Sequence, residues 1–541
     1  MLEGWRFMIV AVLQIVLCSL AGYGVFRLWK RIAASGPKVF WLVTAGLLIR
    51  AVAGVVAFWM SYLAVPVARS FQLGRGLWLF AIDALTYVQF ATHYAHQGPL
   101  AILTMDRSLP SPFFIQMLAG AMLCFGSVIS VAILLNVAVY LGSCAVVLSF
   151  GDAARRPVVF AIAVLSLSPS AILWSLQPLK DISFLFLVMA FFGAARVWQQ
   201  LWKNEPDRRR TVQGIFWSAV MAVLLYGISG VRWYFGAVIL IAAVPFVLMT
   251  IIGARGRRTA AVIAVSLLPL FLGAFLASAS PYIPSSIRSA FRAHDMKKEA
   301  AMPKMVLNTM HETRRGFDQS GGATIIGAGS AILKIDTALA EPAPAMPVRT
   351  VSKRSTERRI AAVRKKRTIP HPIQAAEPAP QVAVAPAVIP APSTPRPVQL
   401  APPRPKAALQ PAPLQVLPVS PLARILAGTA AIVLPHSIGQ RLGIVDVRGG
   451  RGLWLFVDVD TIIFDIVIVF VVFSVTMAVR RRAMNAPVFW LALLVTCGIG
   501  LALVYTVSNF GTLFRHRDMI LAGLVLLPLA LAASGAKPAK V

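Results

Sequence analysis

The sequence predicts an all-α integral-membrane protein: a polytopic bundle of about eleven transmembrane helices with a long, partly disordered, Pro-rich extracytoplasmic loop. Three observations carry this expectation. Hydrophobic residues make up 58% of the 541-residue chain and charged residues only 13%, a mixture that cannot cover a soluble fold with polar groups. The apolar residues fall in runs of about 20, the length that crosses a bilayer core. The basic residues gather in short clusters in every second connection between those runs. The formal charge of +32, from 52 Lys and Arg against 20 Asp and Glu, therefore reads as a topology signal. Nucleic acid is set aside as a partner in favour of the lipid bilayer.

The apolar runs are 7–27, 39–64, 128–149, 157–176, 182–202, 211–229, 233–252, 259–279, 453–479, 487–507 and 518–534. The first follows neither a basic segment nor a small-residue cleavage site, so it reads as a retained anchor. Residues 111–127 are also apolar, and Pro110 and Pro112 ahead of them favour an interfacial or re-entrant piece. Cys18, Cys124, Cys144 and Cys497 lie in apolar stretches without metal or disulfide spacing, and read as small membrane hydrophobes.

Orientation follows from Arg27, Lys30, Arg31 and Lys38, then Arg155 and Arg156, then Lys203 and Arg208 to Arg210. Arg255, Arg257, Arg258 and Arg480 to Arg482 continue the series, and Lys537 and Lys540 close it. One topology makes all of these cytoplasmic and puts Asp83, Lys180, Arg232 and Arg515 outside. The expected setting is a bacterial inner membrane with an extracytoplasmic active face. Three regions result: an N-terminal bundle over 1–279 with a first external loop at 65–110, an extracytoplasmic loop over 280–452, and C-terminal transmembrane helices over 453–541. Within the loop, 342–421 holds 19 of the 37 Pro and twelve Lys and Arg against two Glu. Such a segment cannot build a core and reads as disordered, with polyproline character. Its flanks, 285–316 and 422–442, mix apolar and basic positions and read as interfacial helices.

The polar residues near the external face need reasons. Asp83 and Tyr87 are four apart and share a helix face; a lone carboxylate there suits a general base as well as a helix N-terminus. Lys180 and Asp181 sit at a helix start, where Lys180 either anchors the interface or meets a phosphate. Arg232 stands in a tight external turn against the topological bias, beside Trp233 and Tyr234. Arg515, His516 and Arg517 precede the last run, and two guanidiniums at i and i+2 suit a phosphate or pyrophosphate. Arg50 lies mid-span, where a charge costs about 2.5–3.5 kcal/mol by insertion scales. An internal partner is expected for it, with Asp458, Asp460 and Asp465 available. His93 and His96 are three apart without a third ligand, so no metal site is assigned.

The order of these motifs resembles the C superfamily of polytopic glycosyltransferases, especially bacterial, protein-mannosyltransferase-like membrane proteins of envelope assembly. The resemblance rests on the leading span with Arg50, the loop with Asp83 and Tyr87, the block SPSAILWSLQPLKD, and the turn VRWY. It continues through RRGFDQSGG and NFGTLFRHRDM, covering about 39–330 and 420–534. It implies a polyprenyl-phosphate sugar donor and a glycan, lipid or protein acceptor. It implies further that Asp83 is the catalytic base or a metal-linked acid and that Lys180, Arg232, Arg515 and Arg517 hold the donor phosphate. The family commonly carries an acidic pair in the first loop. Here Asp83 is followed by Ala84, so a divalent cation stays an open addition. Two other functions fit the same chain: a polymerase or ligase of lipid-linked polysaccharide, and a transporter or scaffold of an export complex.

Overall fold

The computed structural model describes residues 2–106, 109, 111–203, 207–254, 256–278, 429, 432–435, 437–438, 451–480, 486–506 and 510–534. Side chains are described at all of these except 2–7, 70, 277–278, 451–456, 504–515 and 533–534. The insert 342–421, both interfacial flanks except for scattered residues of the second, and the motif RRGFDQSGG lie outside the described residues.

The first two helices, α1 (Leu2–Ala33) and α2 (Pro37–Tyr62), lead into a two-stranded hairpin, β1 (Gln72–Gly74) and β2 (Leu77–Trp78). Then come α3 (Asp83–Gln97), α4 (Pro99–Leu103), α5 (Pro112–Phe125), α6 (Val131–Ser149), α7 (Arg156–Leu167) and α8 (Pro169–Ser175). Next are α9 (Lys180–Leu201), α10 (Arg208–Val231), α11 (Trp233–Ile252), α12 (Arg257–Ser266) and α13 (Leu268–Ser278). After the undescribed stretch follow α14 (Arg451–Arg480), α15 (Pro487–Thr506) and α16 (Phe510–Ser534). Several helices open on Pro at the first or second position, as α2, α5, α7 and α8 do. There the missing N–H would have no partner in any case.

Eight stretches among the described residues are long and apolar enough to cross a membrane, Arg257–Leu276 counting as one across α12 and α13. Joining α7 and α8 makes nine. The run 157–176, read above as one helix, is broken. Ser168 adopts φ −59° and ψ 121°, the extended conformation favoured before Pro169, and the two pieces meet at 51°. The stretch 111–127 contains α5, whose Phe114, Ile115, Leu118 and Ala119 are buried. The hairpin was not foreseen; it turns through Gly74, Arg75 and Gly76, all at positive φ, and is tied to α2 by Ser61 Oγ donating to Leu77 O at 2.6 Å.

The most enclosed spanning helix is α9, with 78% of its span buried against none for α1. Trp198, Phe184 and Phe192 on it are nearly inaccessible. Hydrogen bonds fix two ends of the bundle. At one, Arg232 between α10 and α11 meets His516 near the start of α16 (3.1 Å). At the other, Arg155 ahead of α7 donates to Ala532 O near the end of α16 (2.9 Å). The sixteen residues between these contacts span about 24 Å of helix. Lys180 and Arg232 therefore share one end, and Arg155 lies at the opposite one.

Candidate functional site

The first part of the site is built around Lys180. Leu179 is extended, and α9 begins at Lys180. The ammonium donates to Ser111 Oγ at 2.7 Å, and that hydroxyl donates in turn to Val231 O at 3.0 Å. Ser111 holds a left-handed conformation, φ 59°, at the start of α5, which is unusual for a residue with a side chain. The Lys180 ammonium also stands 5.5 Å from the centroid of the Tyr87 ring, within cation–π range. Tyr87 is buried and packs edge-on against Phe114.

Val231 leads directly into the second part. Arg232 is the only residue between α10 and α11, extended at φ −148° and ψ 94°, so its side chain is aimed by two helices. It is 5% exposed. One terminal nitrogen pairs with Asp181 Oδ1 at 2.5 Å. The other donates to Tyr234 Oη at 2.9 Å and approaches His516 Nε2 at 3.1 Å. A guanidinium has no acceptor, so Nε2 takes the accepting role. Through Ser111 and the Val231–Arg232 peptide, α3, α5, α9, the α10–α11 joint and α16 meet in one linked set. Lys180 and Arg232 bring two positive charges to this set, and Asp181 pairs with Arg232. Cationic groups fixed in this way by their neighbours suit an anion.

A separate network lies beside it. Arg517 is 2% exposed and turns to α14. It pairs with Asp460 at 2.8 Å and donates to Thr461 Oγ1 at 2.8 Å and Ile432 O at 3.0 Å. Asp460 Oδ1 also accepts the Ser170 N–H at 2.8 Å and the Ser168 hydroxyl at 3.3 Å, while Ser170 Oγ donates to Asp518 at 2.7 Å. This network holds the break between α7 and α8. Arg50 holds its other side. Its guanidinium donates to Leu165 O at 2.6 Å and to Ser166 O and Gly46 O at 3.1 Å, and lies 4.2 Å from the Tyr140 ring centroid. A cation thus meets the carbonyl end of α7 and a carboxylate the amide end of α8, each in its favoured place.

The structure brings together Tyr87, Lys180, Asp181, Arg232 and His516. It directs Arg517 to Asp460 instead. Asp83 opens α3, half-buried, one turn ahead of Tyr87. Arg515 lies on α16, but its side chain is outside the described residues. Arg50 meets the backbone carbonyls of Gly46, Leu165 and Ser166, where the sequence pointed to a carboxylate, and Asp460 pairs with Arg517. Among the described residues no group of three His, Cys, Asp or Glu is placed to hold a metal ion; His93 lies against Gln97 at 3.0 Å. Sequence reasoning missed Ser111, Ser168 and Ser170. The Pro that follows or precedes each was their one signal.

No family model, curated protein or solved structure matches this chain. The class the fold defines is a helical membrane protein with a buried, charge-bearing site at one end of its bundle.

Proposed function

We propose that this protein is an integral-membrane glycosyltransferase that takes its sugar from a polyprenyl-phosphate donor. In this reading eleven spans cross a bacterial inner membrane, and the Lys180–Arg232 end and the 280–452 loop face outward. The acceptor is an envelope glycan, lipid or protein. Its hydroxyl attacks the anomeric carbon, Asp83 takes the proton, and Lys180 and Arg232 stabilise the departing phosphate. The observation that carries the reading is the convergence of Lys180 and Arg232, from different helices, on one linked set beside Tyr87, one turn from Asp83. Asp181, His516 and Tyr234 hold Arg232 in place, so the charge is preorganised. Binding of a polyprenyl-phosphate sugar to the purified protein tests the phosphate role. Lys180→Gln and Arg232→Gln should each weaken binding by roughly tenfold or more, as loss of a charge-assisted contact implies. Unchanged affinity in both would overturn it.

One observation favours a second reading. The break between α7 and α8, lined by buried charges, is a device that transporters use at substrate sites. Against it, α7–α8 is the single bent pair of this kind among the described residues, so no matching half is in view. Donor turnover without movement of lipid across a vesicle wall separates the two.

A further inference from the structure

The opposite end of the bundle carries a second cationic feature that glycosyl transfer does not use. Arg196 stands near the end of α9, half-buried. Its guanidinium lies 5.0 Å from the centroid of Phe150 at the end of α6. Among the described residues its buried Nε has no hydrogen-bond partner. Arg155, ahead of α7, packs beside Gly151, the residue after Phe150: a Cβ on Gly151 would stand 3.4 Å from Arg155 Cδ. It is itself anchored to Ala532 O at 2.9 Å. Among the described residues no carboxylate forms an ion pair with either arginine. Two acids of the neighbouring connections lie among the described residues and have contacts of their own. Asp152 accepts the Ala154 N–H at 3.1 Å. Asp207 accepts the Arg210 N–H at 2.7 Å and pairs with its side chain.

Two arginines set against the adjacent residues Phe150 and Gly151 at one helix end, one with an unsatisfied buried donor, call for an anion. The location says which kind. The pair sits between membrane helices at the end whose connections expose Arg156, Lys203, Arg208 and Arg209. An aromatic ring backs it, and long apolar faces of α10 and α11 are exposed on the same bundle. A basic pocket between spanning helices, at the depth of the headgroups, is the setting in which anionic lipids bind. We propose that Arg155 and Arg196 form a binding site for the phosphate of an anionic lipid headgroup, at the end of the bundle away from Lys180 and Arg232.

The test uses the full-length protein in neutral detergent, with lipid binding read by native mass spectrometry and by thermal unfolding. Phosphatidylglycerol should bind roughly tenfold more tightly than phosphatidylcholine and raise the unfolding temperature. Arg196→Gln should abolish that preference, since its side chain makes no hydrogen bond the fold requires. Arg196→Lys should keep most of it, and Arg208→Gln, an exposed arginine nearby, all of it. Equal binding of the two lipids, or an Arg196→Gln protein that still prefers phosphatidylglycerol, would overturn the site. Stabilisation by inorganic phosphate alone, with nothing added by the lipid, would overturn the lipid assignment.

Discussion

Arg517 and Asp460 are both almost fully withdrawn from solvent and bonded at 2.8 Å. Removing one partner leaves the other charge buried. Asp460→Asn should therefore destabilise the protein by about 3–5 kcal/mol, measured by thermal unfolding in detergent. Arg517→Met added to it should recover much of the loss, because the buried positive charge goes too. A single substitution as stable as the parent would show that the pair is not desolvated. The sequence singled out Lys180, Asp181, Arg232 and His516 because a charge in or beside an apolar run needs a reason. It did not show which charges meet. Asp181 and Arg232 are 51 positions apart and Arg517 and Asp460 are 57 apart, so their pairing is decided by helix packing.

At the scale of elements, apolar run length and Pro at helix starts made most helix positions legible. The break between α7 and α8 was signalled by Pro169 but hidden by the apolar residues on both sides. The hairpin was hidden because a strand of two or three residues has no periodicity to read. Close helix contacts were also invisible. A Cβ on Gly273 of α13 would stand 2.5 Å from Ala222 Cβ and 3.1 Å from Ala222 Cα on α10. Backbone cannot rotate away as a long side chain can, so the two helices meet through small residues. Gly273→Ala should cost about 1–3 kcal/mol through overpacking, and Ala222→Gly in the same chain should restore most of it. Thermal unfolding of the single and double variants checks this, and additive losses would contradict the contact.

At the scale of the whole molecule, the alternation of basic connections and the composition of 342–421 (19 Pro, twelve basic residues) make two claims. A chain lacking residues 345–418 should still insert and extract as a monodisperse protein, because a segment of that composition has little apolar surface to bury. Aggregation of that chain would show that the segment packs. A cysteine placed at Ser393, with the native cysteines replaced, should react with an impermeant reagent in intact cells, whereas one at Arg209 should not. Protection of position 393 would reverse the orientation and put the Lys180–Arg232 end on the wrong side for the donor.

The most direct test of the proposed activity is sugar transfer from a polyprenyl-phosphate donor in nanodiscs, with donor binding measured in parallel. Asp83→Asn keeps the shape of the side chain and removes the charge that accepts the acceptor's proton. Turnover should fall by about 10²–10⁴-fold, the usual worth of a general base, while donor affinity and unfolding temperature stay within error of the parent. Transfer by Asp83→Asn at the parent rate would contradict the account, and so would a loss of turnover matched by an equal loss of donor binding.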